Sequence, residues 1–322
     1  MSGAARTALV IGAGQTGYAT ARALQQAGWE VTTAHRGRHA PPPELTTETI
    51  VLDRADTEAL TAEAVGRDLV VDTVAFTPDH ARQLRQLDVG ALAVISTGSV
   101  YQGSNGTYLD IATDAESFPD FPVPVDEDWP TVRNDEQTYS PLKAEMERVL
   151  LAGDVPVSIL RAWAVHGPYS PRLREWFFIK RALDGRPHAV LAWDGAARFH
   201  PVATANVAAL VVACAQTPGT HVLNAVDDEC PTDAEIGRIV FAEMGTTPRS
   251  SPFPGPPRDG VGASPWGWPS RSCCPCGART TRWVTARPSA TPKASRSTWS
   301  GRSAPPERPR PAASPGSRRS RG

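Results

Sequence analysis

The chain has 322 residues and a formal net charge of −1, room for one large or two small domains. That near-neutral total hides a split: residues 247–322 hold 14 Lys/Arg against 2 Asp/Glu, a balance of +12, which leaves −13 for residues 1–246. An acidic body disfavours a specific nucleic-acid partner, and no apolar run approaches the roughly 18 residues of a membrane span. Cys214 and Cys230 stand alone, as suits a reducing cytoplasm, and the first strand comes so early that no signal peptide is expected.

That strand is Ala8-Leu9-Val10-Ile11, whose unbroken apolar run reads as buried and parallel. It passes into Gly12-Ala13-Gly14-Gln15-Thr16-Gly17, a G-x-G-x-x-G spacing, and then into an alanine-rich helix over residues 19–27 that Gly28 stops. Residues 29–33 form the second strand. The glycines thus sit where a strand turns into a helix inside one βαβ unit, the context that marks a dinucleotide fingerprint. Gly12 permits the tight turn, Gly14 lets the backbone approach a pyrophosphate, and Gly17 lets the helix pack on the strand. Gln15 and Thr16 lie between them, at a helix end that offers free N–H groups to phosphate. Where NAD-binding folds place a carboxylate after the second strand, this chain has Ala34-His35-Arg36-Gly37-Arg38. Arg36 and Arg38 suit the 2′-phosphate of NADP, so NADP is expected over NAD.

Residues 50–53 read as a third strand with Asp53 at its end, 57–65 as a helix, and 68–72 as a fourth strand continuing toward Phe76. A helical pattern covers 79–87, and 91–97 is a fifth strand ending in Ser96 and Thr97. This alternation predicts an α/β fold with a doubly wound parallel sheet, Rossmann-like. Such sheets bind ligands at the carboxyl ends of their strands, so Gly12, Arg36, Asp53 and Thr97 should converge on one crevice. Residues 102–135 are turn-rich and acidic and read as a long lid-like loop.

Tyr139-Ser140-Pro141-Leu142-Lys143 opens a helix reaching about residue 152. Tyr139 and Lys143 are four apart and share a face. A neighbouring ammonium favours the phenolate and brings proton transfer toward neutral pH. A sixth strand follows at 155–160. Residues 173–183 form an amphipathic helix with Trp176, Phe177 and Phe178 as core, 205–215 another helix, and 222–224 a short strand. Thr232 and Glu235 make a capping box on a helix running to about Met244. The histidines, His166 and His200 among them, show no metal-ligand spacing and read as structural or surface residues.

Residues 7–245 resemble the NAD-dependent epimerase/dehydratase family, the extended or atypical branch of the short-chain dehydrogenases/reductases. Three features carry the resemblance: the glycine motif; Ile95-Ser96-Thr97-Gly98-Ser99-Val100-Tyr101, similar to the family's S-[ST]-x-x-V-Y-G with Gln102 intervening before Gly103; and the Y-x-x-x-K pair Tyr139/Lys143. Leu160-Arg161, His166-Gly167-Pro168 and the stretch 199–209 echo it, with Asn206 where relatives often carry aspartate. The resemblance implies Tyr139 as general acid/base, with Lys143 holding the nicotinamide ribose and lowering the tyrosine pKa. Thr97 would bond the reacting oxygen, Asp53 would meet the adenine amino group, and Gln15 and Thr16 would line the diphosphate. The implied chemistry is hydride transfer to or from a small carbonyl or sugar-like substrate. Sugar-nucleotide 4,6-dehydratases place an Asp-Glu pair after the threonine; Gly98 and Ser99 stand there in this chain, which speaks against dehydration. A non-catalytic NADP-binding regulator or redox sensor on the same fold is the alternative. A homodimer is left open.

From about residue 247 the composition changes. Residues 247–322 contain no Leu, Ile, Met, Asn or Gln, yet 15 of the 31 prolines and 4 of the 9 tryptophans. Disordered tails are ordinarily poor in aromatics, and Cys273-Cys274-Pro275-Cys276 lacks the partner pair of a metal knuckle. One permitted codon choice for residues 278–288, read two nucleotides later, gives A-H-D-E-V-G-Y-R-P, whereas relatives end with a helix followed by Gly-Tyr-x-Pro. The expected organisation is therefore one NAD(P)-binding domain over 1–268, its substrate lobe mainly within 165–268. A disordered, frameshifted tail over 269–322 follows, the break falling between about 265 and 272.

Overall fold

Strand β1 (Thr7–Ile11) sends Ala8 and Val10 into one core and Leu9 and Ile11 into another, because side chains alternate along a strand and both faces are covered. The computed structural model describes residues 5–38, 42–133 and 136–267. After β1 come α1 (Gln15–Gln26), β2 (Glu30–His35), β3 (Glu48–Val51), α2 (Thr57–Ala64), β4 (Leu69–Asp72), α3 (Pro78–Leu84), β5 (Leu92–Thr97) and α4 (Tyr139–Leu151). Then follow β6 (Val157–Ala162), β7 (Ala164–His166), α5 (Trp176–Leu183), β8 (His188–Ala192), β9 (Pro201–Ala203), α6 (Thr204–Gln216), β10 (His221–Ala225), α7 (Asp233–Glu243) and β11 (Arg249–Phe253).

Seven strands form one parallel sheet in the order β10-β6-β5-β4-β1-β2-β3. Ala21 and Leu24 of α1 and Val207 and Val211 of α6 pack on one face. Leu60 of α2, Leu84 of α3 and Met146 and Leu150 of α4 pack on the other. This is the doubly wound α/β arrangement expected from the alternation of elements. Helix starts are fixed locally: Asp56 accepts the Ala59 N–H, Thr77 accepts the His80 N–H, and Thr232 and Glu235 form the capping box of α7.

A third core, with Phe178, Leu191, Ile236, Phe241 and Trp266, underlies a smaller lobe. Here β7 pairs with β9 and β8 with β11, both parallel. These four short strands have no counterpart in the sequence reading. The compositional change at 247 does not end the fold either: residues 249–253 form β11, which pairs alongside β8, and Trp266 is 1% exposed. The tail from 268 onward, with its cysteine cluster, lies outside the described residues.

Other expectations are corrected. The fourth strand stops at Asp72 instead of reaching Phe76, because the Asp72 carboxylate accepts the N–H groups of Val74 (2.8 Å) and Ala75 (2.7 Å) and turns the chain. Asp53 lies two residues beyond β3 and accepts the Ala55 N–H. Trp176 is 48% exposed rather than core, while its neighbour Phe178 is fully buried. Pro141 is the third residue of α4, still inside the turn where its missing N–H goes unmissed.

Candidate active site

The fingerprint glycines meet three different requirements. Gly12 has φ of +103°, and a β-carbon there would stand 2.3 Å from Thr73 Oγ1. At Gly17 a β-carbon would stand 1.8 Å from the Gly12 carbonyl oxygen. Gly14 faces open space, with nothing within 4 Å of such an atom. It is the N-cap of α1 and supplies no side chain to the first N–H groups, so these are free for an anion. Gln15 Oε1 is buried without a hydrogen-bond partner among the described residues. An open cradle, an uncapped helix end and an unmet side-chain oxygen together fit a dinucleotide's diphosphate and ribose.

Arg36 and Arg38 are exposed just past β2, and Asp53 is exposed just past β3. The Gly12 N–H donates to Ala34 O and the Leu52 N–H to His35 O, so the ends of β1, β2 and β3 lie side by side. Gly12, Arg36 and Asp53 therefore share one edge. Thr97, at the end of β5, belongs to the other half of the same edge.

The turn after β4 joins the halves. Thr73 Oγ1 donates to Ile11 O at 2.9 Å, beside Gly12. Ala75 O accepts from Lys143 Nζ at 2.6 Å, and the same ammonium donates to Ile95 O at 3.0 Å. The Phe76 ring stacks on the Tyr139 ring, centroids 5.5 Å apart. Thr97 Oγ1 accepts the Ser99 N–H at 3.2 Å, and the Thr97 side chain acts on the Tyr139 phenol so as to lower its pKa.

Tyr139 and Lys143 share a helix face, but the expected lowering of the phenol pKa is not found. Lys143 is 6% exposed and turned toward the two backbone carbonyls. The Tyr139 phenol titrates above its ordinary range: burial raises it, the Thr97 hydrogen bond lowers it, and the Asp110 carboxylate raises it again. Burial lowers Lys143 itself to about 8, against the attraction of Asp72 and Glu147.

Beneath Thr97 lies a buried polar network. Arg161 on β6 donates through Nη2 to Glu147 Oε2 at 2.7 Å, through Nη1 to Tyr101 OH at 3.0 Å and to Glu127 O at 2.8 Å. Ser96 donates to Glu147, and Tyr101 donates to Asn224 Oδ1 at 2.9 Å. Asn224 Nδ2 donates to Val125 O at 3.0 Å. The network ties β5, β6, β10 and α4 to the 102–133 segment. Burial and the Arg161 charge act oppositely on Tyr101, and burial wins, pushing its phenol to about 12.

A cleft of about 520 Å³ opens in the smaller lobe, lined by His166, Glu175, Asp227, Asp228, Glu229 and Trp266 among others. His166 Nε2 lies 3.0 Å from Asp227 Oδ2. Asp227 Oδ1 accepts the Ala203 N–H at 2.8 Å and Asn206 Nδ2 at 2.7 Å. The Asp227 hydrogen bond raises the His166 pKa despite burial. His166 has no ligand spacing in the sequence; its partner comes from the loop after β10, 61 residues away, a pairing that only the fold creates.

The profile of the NAD-dependent epimerase/dehydratase family matches residues 8–225. The chain belongs to this family. No curated protein matches the chain by sequence. Among solved structures, Bordetella bronchiseptica WbmG in complex with NAD superposes with a TM-score of 0.61 at 19% identity, covering 79% of this chain and 83% of that one. A UDP-N-acetylglucosamine 4-epimerase from Bacillus cereus gives 0.60 at 16% identity over 78% and 88%. The dTDP-glucose 4,6-dehydratase of Bacillus anthracis in complex with NAD gives 0.58 at 16% identity over 78% and 85%. At these identities the likeness is one of fold. Among the described residues of this family member, no helix is long and apolar enough to cross a membrane.

Proposed function

We propose that the protein is an NAD(P)-dependent oxidoreductase or epimerase acting on a small carbonyl or sugar-like substrate. The observation that carries this reading is the turn after β4, which sets the fingerprint glycines beside Thr73 and Val74 and, two residues on, holds Lys143 and stacks on Tyr139. Gly12, Gly14, Gln15, Thr16 and Gly17 would hold the diphosphate, Asp53 the adenine, and Lys143 the ribose. A bound nicotinamide dinucleotide supplies hydride donor or acceptor chemistry. Thr97 holds the substrate oxygen, and Tyr139 gives or takes the matching proton there. Gly98 and Ser99 after Thr97 offer no carboxylate for removing a second proton, so epimerisation or simple reduction is favoured over dehydration.

Arg36, free on the surface past β2, supports a preference for NADP through its match to a 2′-phosphate. The catalytic unit is taken as residues 1–268, with the substrate lobe within 165–268. The out-of-frame reading of 269–322 rests on composition, and sequencing the locus tests it.

Fluorescence titration of the purified chain with NADPH and NADH tests the cofactor reading. NADPH should bind more tightly, and Arg36→Ala should erase the difference. Equal affinities in the wild type would refute the preference, and binding of neither would refute the site. A carbonyl-substrate screen with Tyr139→Phe as control then separates enzyme from sensor: turnover lost in the variant supports the enzyme, whereas cofactor binding without turnover supports a regulator.

A further inference from the structure

We propose that Arg54 is a positioning residue for Lys143 and Tyr139: through Asp72 it fixes the turn after β4 on which both side chains rest. The proposal rests on the reading of those two residues given above.

Arg54 follows Asp53 in the loop after β3, yet its side chain turns inward and the residue is 8% exposed. The guanidinium donates to three different partners. Nε reaches Asp72 Oδ2 at 2.8 Å, Nη1 reaches Gln83 Oε1 at 2.6 Å, and Nη2 reaches His80 O at 3.2 Å. Gln83 answers by donating to Arg54 O at 3.2 Å and to Thr57 Oγ1 at 2.9 Å. The arginine is thereby fastened to α3 and to the start of α2. A planar fork of donors suits such a junction, and a lysine has no fork to offer.

Asp72 carries this anchorage into the turn. It is fully buried. With Oδ2 taken by Arg54, its Oδ1 accepts the N–H groups of Val74 and Ala75. One residue then separates the ion pair from Lys143: Ala75 gives its N–H to Asp72 and receives the Lys143 ammonium on its carbonyl. The next residue, Phe76, stacks on Tyr139. Its N–H donates to His80 Nδ1 at 3.0 Å, and His80 is the residue whose carbonyl Arg54 holds. Both routes from Arg54 thus end at the Tyr139/Lys143 pair. The same turn bears on the glycine cradle, because Thr73 Oγ1 donates to Ile11 O and a β-carbon on Gly12 would meet Thr73 and Val74.

Stability alone does not call for this pair, since apolar residues of similar volume commonly serve as well in a buried place. What the pair supplies is a fixed seat for the ammonium. Without Arg54, the Asp72 carboxylate would compete with Ala75 O for Lys143, and a charged acceptor is the stronger one.

The deciding comparison is Arg54→Met against the double substitution Arg54→Met with Asp72→Asn. The single variant strands a charge and should melt lower. In the double no unpaired charge remains, and the amide oxygen can still accept the Val74 and Ala75 N–H groups. Its melting temperature should return to within about 4 °C of wild type. The positioning should not return with it. Proton NMR of the full chain reads this: the chain has three lysines and five tyrosines, and Lys143→Met and Tyr139→Phe each identify one set of signals. In the wild type the Lys143 ammonium protons should exchange slowly with water, and the Tyr139 ring protons should be displaced by the Phe76 ring. In the double variant the ammonium should exchange at least about tenfold faster, and the ring displacement should shrink. NADPH should bind about tenfold more weakly. Wild-type signals in a double variant of recovered stability would make the pair a stabilising contact only and overturn the proposal. If the double variant fails to fold, Arg54→Lys decides: it keeps Asp72 paired without the fork to Gln83 and His80 O, so both signals should move part of the way, and unmoved signals overturn the proposal equally. The NMR signals report Lys143 and Tyr139 without cofactor, so failure of the wild type to bind NADPH would refute the site reading and leave this result standing.

Discussion

A β-carbon on Gly17 would stand 1.8 Å from the carbonyl oxygen of Gly12, whereas one on Gly14 would touch nothing within 4 Å. Both glycines belong to one motif, yet they serve different ends. The obstacle at 17 is backbone, which cannot swing aside, so Gly17→Ala should cost about 3 kcal/mol or more. Gly14 has φ −86° and ψ −177°, open to any residue, so Gly14→Ala should stay within about 0.5 kcal/mol of wild type. The added methyl would nonetheless fill the phosphate approach and weaken dinucleotide binding at least about tenfold, or 1.4 kcal/mol. Thermal melting paired with NADPH titration separates the two: stability lost at 17, binding lost at 14.

The sequence made the sheet legible because its signals are local. A strand, a glycine turn and a helix in succession announce β1 and α1 without reference to the rest of the chain. The turn after β4 was misread because Thr73-Val74-Ala75-Phe76 is rich in strand-favouring residues. What ends the strand there is the Asp72 side chain folding back onto two N–H groups, and propensity does not register that. The smaller lobe was poorly legible for another reason. Strands β7, β8, β9 and β11 have three to five residues each, too short for a period to show. Tyr139, Lys143 and Thr97 stand out by motif, whereas Phe76 and the His166–Asp227 pair come from distant segments and carry no spacing.

Arg161 and Glu147 form a buried ion pair, Nη2 to Oε2 at 2.7 Å, with little of either side chain in water. Removing one partner strands the other charge, at about 3–5 kcal/mol. Glu147→Gln and Arg161→Met should each lower the urea midpoint accordingly. The double substitution Glu147→Leu with Arg161→Met should recover most of the loss, since no unpaired charge remains. A double variant as unstable as the sum of its parts would mean that the hydrogen bonds to Tyr101 and Ser96, not the pair, carry the stability.

His166 owes its raised pKa first to Asp227. A histidine raised on folding stabilises the fold below its unfolded pKa, and the contribution disappears as pH rises through the folded value. Between the ordinary histidine value and the raised one, the melting temperature should therefore fall with pH. Asp227→Asn removes the charge but can keep one hydrogen bond. The His166 midpoint, followed by proton NMR of the ring, should drop, and the fall in melting temperature over that window should flatten. An unmoved midpoint would assign the shift to Glu175, whose Oε1 lies 3.8 Å from Nδ1.

Lys143 presents the opposite sign. Burial lowers its pKa to about 8, so between roughly 8 and 10.4 the unfolded chain holds a proton that the folded one has shed. The contribution of Lys143 to stability then rises with pH across that window, while Cys230, which burial keeps protonated up to about 11, acts the other way. Below it, keeping the ammonium inside costs about 3 kcal/mol relative to a lysine in water. Lys143→Met removes that cost but leaves Ala75 O and Ile95 O without their donor, a penalty of about 1–3 kcal/mol. The variant should therefore be close to wild type in stability at pH 7. The discriminating measurement is the difference in slope: urea unfolding from pH 7 to 10 should show wild-type stability gaining on that of Lys143→Met. A difference that stays constant with pH would place the titrating group elsewhere. A difference that widens with pH would mean that the fold bears the cost of a charge that packing does not need.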